Sequence, residues 1–164
     1  MQNAHGHHHG AHARARCTVE APASRDTISR MMVDETKPFD EWNEQKQRIE
    51  KKRKTTHVKR REVWWSDLGI NIGHEQDGGG PHFERPIVVL KVFGNDTCLI
   101  APLTSVQGDT PFYFDLQQYG YRSRVIVTQL RIISTKRMSR SVERLDTRTF
   151  TALMETVKRM NGFL

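Results

Sequence analysis

The stretch "VWWSDLGINIGHEQDGGGPHFERPIVVL", Val63 to Leu90, decides how this chain is read. Its two ends, "EVWWSDLGI" from Glu62 and "RPIVVLKVF" from Arg85, are short and rich in β-branched and aromatic residues, the composition of strands. Between them lies a loop of Gly, His and charged residues, with Glu75 near its start and Arg85 at its end. A carboxylate and a guanidinium set at the two ends of a loop make either a site or a long hairpin stabilised by a salt bridge. The residues around the loop decide which.

Downstream, "DTCLIAPL", "PFYFDL", "RSRVIVTQL" and "RIIST" continue the pattern, with turn residues at Gly94-Asn95-Asp96, Gly108-Asp109 and Tyr119-Gly120. Short strands at this spacing predict an antiparallel barrel or sandwich. The chain closes differently. Phe150, Leu153, Met154, Val157 and Met160 recur at helical spacing, with Asp146 as N-cap and Gly162 as stop, so a C-terminal helix should lie across the sheet, its methionines filling core.

Upstream, "KPFDEWNEQKQRIEKKRK" (Lys37 to Lys54) reads as a short polar helix with Pro38 in its first turn and Glu50 and Lys54 spaced as an i,i+4 pair. Phe39, Trp42 and Ile49 make too narrow an apolar stripe for a core helix, so loose docking is expected. Residues 1–36 are rich in Ala, His, Arg and Ser, and such a composition cannot offset the entropy of ordering. The division expected is a disordered tail over 1–36, a polar helix and basic linker over 37–57, and one domain over 58–164.

Lys and Arg number 26 against 19 acids, a net charge of +7, which favours polyanionic partners: nucleic acid or an acidic protein. The two cysteines, Cys17 and Cys98, form no CxxC pair, and Cys98 sits in an apolar run, so no disulfide is expected. No apolar run approaches the length of a membrane span, and a cytoplasmic protein with no membrane partner is the expectation.

In order, "EVWWSDLGINIGHEQ…ERPIVVL", "CLIAPLTS" and "VTQLRIISTKRM" resemble the PemK/MazF toxins of bacterial type II toxin–antitoxin systems, over about Arg61 to Met160. The resemblance implies a mainly β fold, a small SH3-like antiparallel barrel with a C-terminal helix, assembled as a homodimer. It implies a sequence-specific endoribonuclease that cleaves single-stranded RNA without metal or other cofactor. It also implies a cognate antitoxin with an acidic tail, through whose complex DNA is bound.

The chemistry needed is attack of a 2′-hydroxyl on the adjacent phosphorus, with charge stabilisation on phosphate oxygens and proton transfer at both ends. On the matched motifs, Arg85 takes the phosphate with its planar fork. Thr104 in "PLTS" supplies a hydroxyl, and Glu75 serves as general base or holds Arg85. Gln76, Ser105, Gln129, Arg131 and Lys136 are the expected RNA contacts, with Gln129 and Arg131 alternatively bracing the loop. Trp64, Trp65, Phe112 and Tyr113 are expected in the core or a dimer contact. Two departures stand out. Ten positions separate Glu75 from Arg85, and Gly78, Gly79 and Gly80 suggest a mobile flap. Thr128 precedes Gln129 and Ile126 occupies the place of an arginine, so the Arg–Asp pair of some relatives is missing and the base falls to Glu75, ahead of His74 or His82. The alternative is a binding protein without nuclease activity, either a gyrase-poison-like toxin or an inactive binder of RNA or antitoxin.

Overall fold

The computed structural model describes residues 37–106 and 110–162, apart from the Tyr119 side chain. The tail expected over 1–36 and the turn at Gly108-Asp109 lie outside them. Residues 37–162 belong to one compact unit, the segment 37–57 included.

Helix α1 spans Phe39–Glu50, and seven strands follow: β1 Glu62–Asp67, β2 Glu84–Phe93, β3 Thr97–Thr104, β4 Tyr113–Asp115, β5 Arg124–Ile126, β6 Arg131–Ser134 and β7 Met138–Arg144. Helix α2 spans Thr147–Met160 and is the last element of the described chain. The strands pair antiparallel in the order β4-β5-β3-β2-β1-β7, with β6 on β3. Among the described residues, β4 and β7, at the two ends of this order, do not pair, so the expected barrel is an open, bulged sheet. Among these residues no helix is long and apolar enough to cross a membrane.

The continuous apolar run of β2 follows from burial on both faces. Side chains alternate across a strand. Val88 and Leu90 therefore join Val63, Leu103, Val125, Phe150, Leu153 and Val157 under α2, while Ile87 and Val89 join Leu68, Cys98, Ile100 and Met138 on the other face. Each fully buried Leu or Val here contributes up to ~1.5–3 kcal/mol relative to exposure. Asp146 caps α2 through its carboxylate, which accepts from the Thr149 amide at 2.9 Å.

Strand β7 has no signature in the sequence because only Met138 of its residues is buried. Its strand character comes from pairing with β1 rather than from an apolar face.

Helix α1 does not dock loosely. Trp42 and Ile49 are buried with Phe83 in a satellite core, and Ile70 packs against it. One large ring replaces the missing stripe: a Cβ on Gly69 would lie 2.0 Å from Trp42 Cε2, so the glycine admits the indole. The expected Glu50–Lys54 pair is absent because the helix ends at Glu50, which pairs instead with Lys136 at 3.2 Å.

Candidate active site

The loop between β1 and β2 is folded back on itself rather than held open. Gly69 N donates to Phe83 O at 3.1 Å and Gly78 N to Gly69 O at 2.7 Å, while Gly79 and Glu84 exchange both backbone bonds, at 2.8 and 2.9 Å. A Cβ on Gly78 would lie 1.7 Å from Phe83 O, and Gly80 adopts φ +65° in the turn that brings Phe83 N to Gly80 O at 3.1 Å. The glycines expected to loosen a flap therefore serve close backbone approach and a left-handed turn.

Arg85 enters β2 with its side chain tied at two places. Its Nε donates to the Asp77 carbonyl at 2.5 Å and its Nη1 to the Leu103 carbonyl at 3.1 Å. One acceptor lies in the loop and the other in β3, so the guanidinium bridges the two. Burial lowers its pKa from the ordinary arginine value and the charge of Asp77 opposes that shift. The group stays cationic at any working pH.

Arg85, Thr104 and Ser105 open into one cavity of about 590 Å³, which Trp65, His82 and Ser123 also line. Thr104 is buried, and its hydroxyl accepts from the Val106 amide at 3.1 Å, which leaves its own O–H to donate. Trp65 is partly buried, with the Arg140 guanidinium 4.4 Å from its ring centre. Arg140 also pairs with Glu84 at 3.0 Å. Burial alone would raise the Glu84 carboxyl; bonds from Ser139 and Arg140, with the charges of Arg140 and His82, outweigh it and hold the pKa below the ordinary value.

Glu75 lies elsewhere. It lines a second cavity of about 570 Å³ with Asn71, His74, Thr128, Gln129 and Arg131, and its Oε2 accepts from the Ile72 amide at 3.3 Å. The carboxylate whose charge reaches Arg85 is that of Asp77. Gln76 is held by its backbone: its N–H donates to Gln129 Oε1 at 2.6 Å and its carbonyl accepts from Arg131 at 3.1 Å. Gln129 Nε2 donates to His74 O at 3.0 Å, so Gln129 and Arg131 grip the loop from below. Lys136, expected against RNA, spends its ammonium on α1, donating to the Glu50 carbonyl at 2.9 Å. Phe112 is half exposed, and Trp64 packs against the core on the Ile87 and Val89 face of the sheet.

Sequence reasoning passed over Asp77, the hub of the loop. Its Oδ1 accepts from Asn71 N at 2.6 Å and its Oδ2 from Lys37 Nζ at 2.8 Å. An aspartate between Gln76 and a glycine run reads as a turn former, and its partner Lys37 lies far back in the sequence, so no local signal marks it.

Solved structures share this architecture. An endoribonuclease in complex with its cognate antitoxin from a mycobacterial species aligns at TM-score 0.50, covering 66% of this chain and 98% of its own, with 11% identity. An endoribonuclease from a mycobacterial species gives TM-score 0.51, covering 66% and 94%, with 10% identity. MazF (Form-I) from Deinococcus radiodurans gives TM-score 0.50, covering 65% and 98%, with 20% identity. At such identities the likeness is one of fold. Compared with curated proteins, the sequence gives no match. The family model of the PemK-like, MazF-like toxin of type II toxin–antitoxin systems matches residues 59–160, from the basic turn before β1 to the last residue of α2, and the chain belongs to that family.

Proposed function

We propose that the protein is a sequence-specific endoribonuclease toxin that cleaves single-stranded RNA without a metal and is blocked by a cognate antitoxin with an acidic tail. The observation that carries this reading is the meeting of Arg85 and Thr104 in one cavity. Two of the five N–H donors of Arg85 are anchored on carbonyls, which leaves three for phosphate oxygens. A donor fixed before the reaction is worth far more than one that must be ordered during it.

In the proposed reaction the 2′-oxygen attacks the adjacent phosphorus and the bond to the 5′-oxygen breaks. The 2′-hydroxyl proton passes to His82, the leaving oxygen takes a proton from solvent, to which His82 then releases its own, and the products carry a 2′,3′-cyclic phosphate and a 5′-hydroxyl. Arg85 takes the charge on the non-bridging oxygens and Thr104 donates to the phosphate. His82 is preferred to Glu75 as proton acceptor because it lines the same cavity as Arg85 and Thr104. Trp65 offers a face for a base. Net charge of +7 supports both the RNA and the acidic antitoxin as partners. Exposed Ile132 and Val142 support a homodimer, and an RNA substrate is what supports action in the cytoplasm.

The test is primer-extension mapping of cuts in a long RNA in excess EDTA, with end-group analysis. Cleavage with cyclic phosphate ends is expected from the parent, none from Arg85→Ala, strong impairment from His82→Ala and little from Glu75→Gln. Parental cutting by the Arg85 variant would overturn the reading. A gyrase poison would cut no RNA at all.

A further inference from the structure

Lys37 and α1 precede the stretch that the family model matches, yet they hold the loop that carries the site. The Lys37 ammonium donates to Asp77 Oδ2 at 2.8 Å, to Asn71 O at 2.8 Å and to Gly73 O at 3.3 Å. An ammonium has three N–H donors, so all are spent on this loop. Trp42 holds the loop's two ends: its ring fills the space above Gly69 and meets Phe83 edge-on at 5.7 Å, with Arg137 5.3 Å from its centre.

We propose that Lys37 and Trp42 are positioning residues: they hold the Asp77 carbonyl where it fixes the Arg85 guanidinium. Of the two anchors on Arg85, Leu103 O belongs to the end of β3, where Leu103 pairs with Val125 of β5, and is placed by the sheet. Asp77 O belongs to irregular backbone, so its place depends on whatever holds the loop. The inside of that grip is Asn71, Gln129 and Arg131; the outside is Lys37 and Trp42. The Lys37–Asp77 pair is partly exposed, at 33% and 27%, so its electrostatic contribution to stability is small. Its effect lies in geometry. A guanidinium released from one anchor samples several rotamers, and misplacement on the order of 1 Å can cost ~10²-fold in rate.

The proposal rests on the nuclease reading only for what the positioned guanidinium then does. Its test joins steady-state cleavage of a short RNA with NMR measurement of Arg85 Nε–H exchange, in the full chain. The variants are Lys37→Met, Lys37→Arg and Trp42→Phe, the last chosen because it keeps a ring in the satellite core. The control, Arg48→Ala, breaks a solvent-facing pair of α1 that is 72% and 70% exposed. Lys37→Met is expected to lower kcat ~10-fold or more with KM within about twofold, and to speed Nε–H exchange by a similar factor. Lys37→Arg should restore most of both, Trp42→Phe should fall between, and the control should match the parent. Parental kcat and exchange in Lys37→Met would overturn the proposal. So would equal losses in the Met and Arg variants that merely track melting temperature. If the parent cuts no RNA, the nuclease reading fails alone, and exchange still decides: faster in Lys37→Met upholds the strut, unchanged refutes it.

Discussion

Replacing Arg85 by lysine keeps the charge and removes the planar fork. Arginine here meets two carbonyls from separate segments, at 2.5 and 3.1 Å, and still has three N–H donors left. A lysine has three donors on one atom. If it reaches both carbonyls, one is left for phosphate; if it turns to the phosphate, a carbonyl goes without its partner. Losing one fixed donor to a developing anion costs ~10²–10³-fold in kcat, or about 2.7–4 kcal/mol of barrier. Orphaning a half-buried carbonyl costs about 1–3 kcal/mol of stability. Arg85→Lys should therefore cut a defined RNA oligonucleotide ~10²–10³-fold more slowly with KM changed only a few-fold, and unfold at lower urea. The assays are single-site cleavage kinetics and urea denaturation followed by tryptophan fluorescence. A kcat within about fivefold of the parent would mean that the group acts as a point charge, and the fixed-fork argument would fail.

Two further predictions test the frame around the site. Gly69→Ala combines a φ of +83° with a Cβ 2.0 Å from the indole of Trp42, so it should lose about 3–5 kcal/mol in urea melts; a loss under about 1 kcal/mol would show that Trp42 is not seated there. The Glu84 carboxyl is held below its ordinary value of 4.5, so its ionised form favours the folded state above that pH and this contribution disappears as pH falls through the folded value. The melting-temperature gap between the parent and Glu84→Gln should narrow on acidification, and a gap independent of pH would contradict the assignment.

What the sequence discloses depends on whether a residue's partner is nearby. β2 and β3 are buried on both faces, so they print themselves as unbroken apolar runs, and α2 prints its stripe at helical spacing. The meeting of Arg85 with Thr104 was reachable only through the ordered motifs, since nothing in either segment indicates that they share a cavity. Strand β7 was illegible because an exposed edge needs no apolar alternation. Helix α1 was misjudged because a count of apolar residues gives one tryptophan no more weight than one isoleucine, and here the tryptophan fits a space that a glycine opens far along the chain. Glu75 and Arg85 face each other in the sequence as the ends of a loop. The loop's own hydrogen bonds fold it back and send the two side chains into different cavities.

The pair of anchors on Arg85 also has a bearing on how the protein fails. Strand β3 is paired with a neighbouring strand along its whole length, whereas the Asp77 segment is held by the backbone bonds of Gly78 and Gly79 and by side chains, several of them partly exposed. Segments of that kind open at lower free energy than the ladder beside them. On gradual warming, catalytic competence would then be extinguished while the sheet's circular dichroism still looked native: inactivation and melting would be separate events.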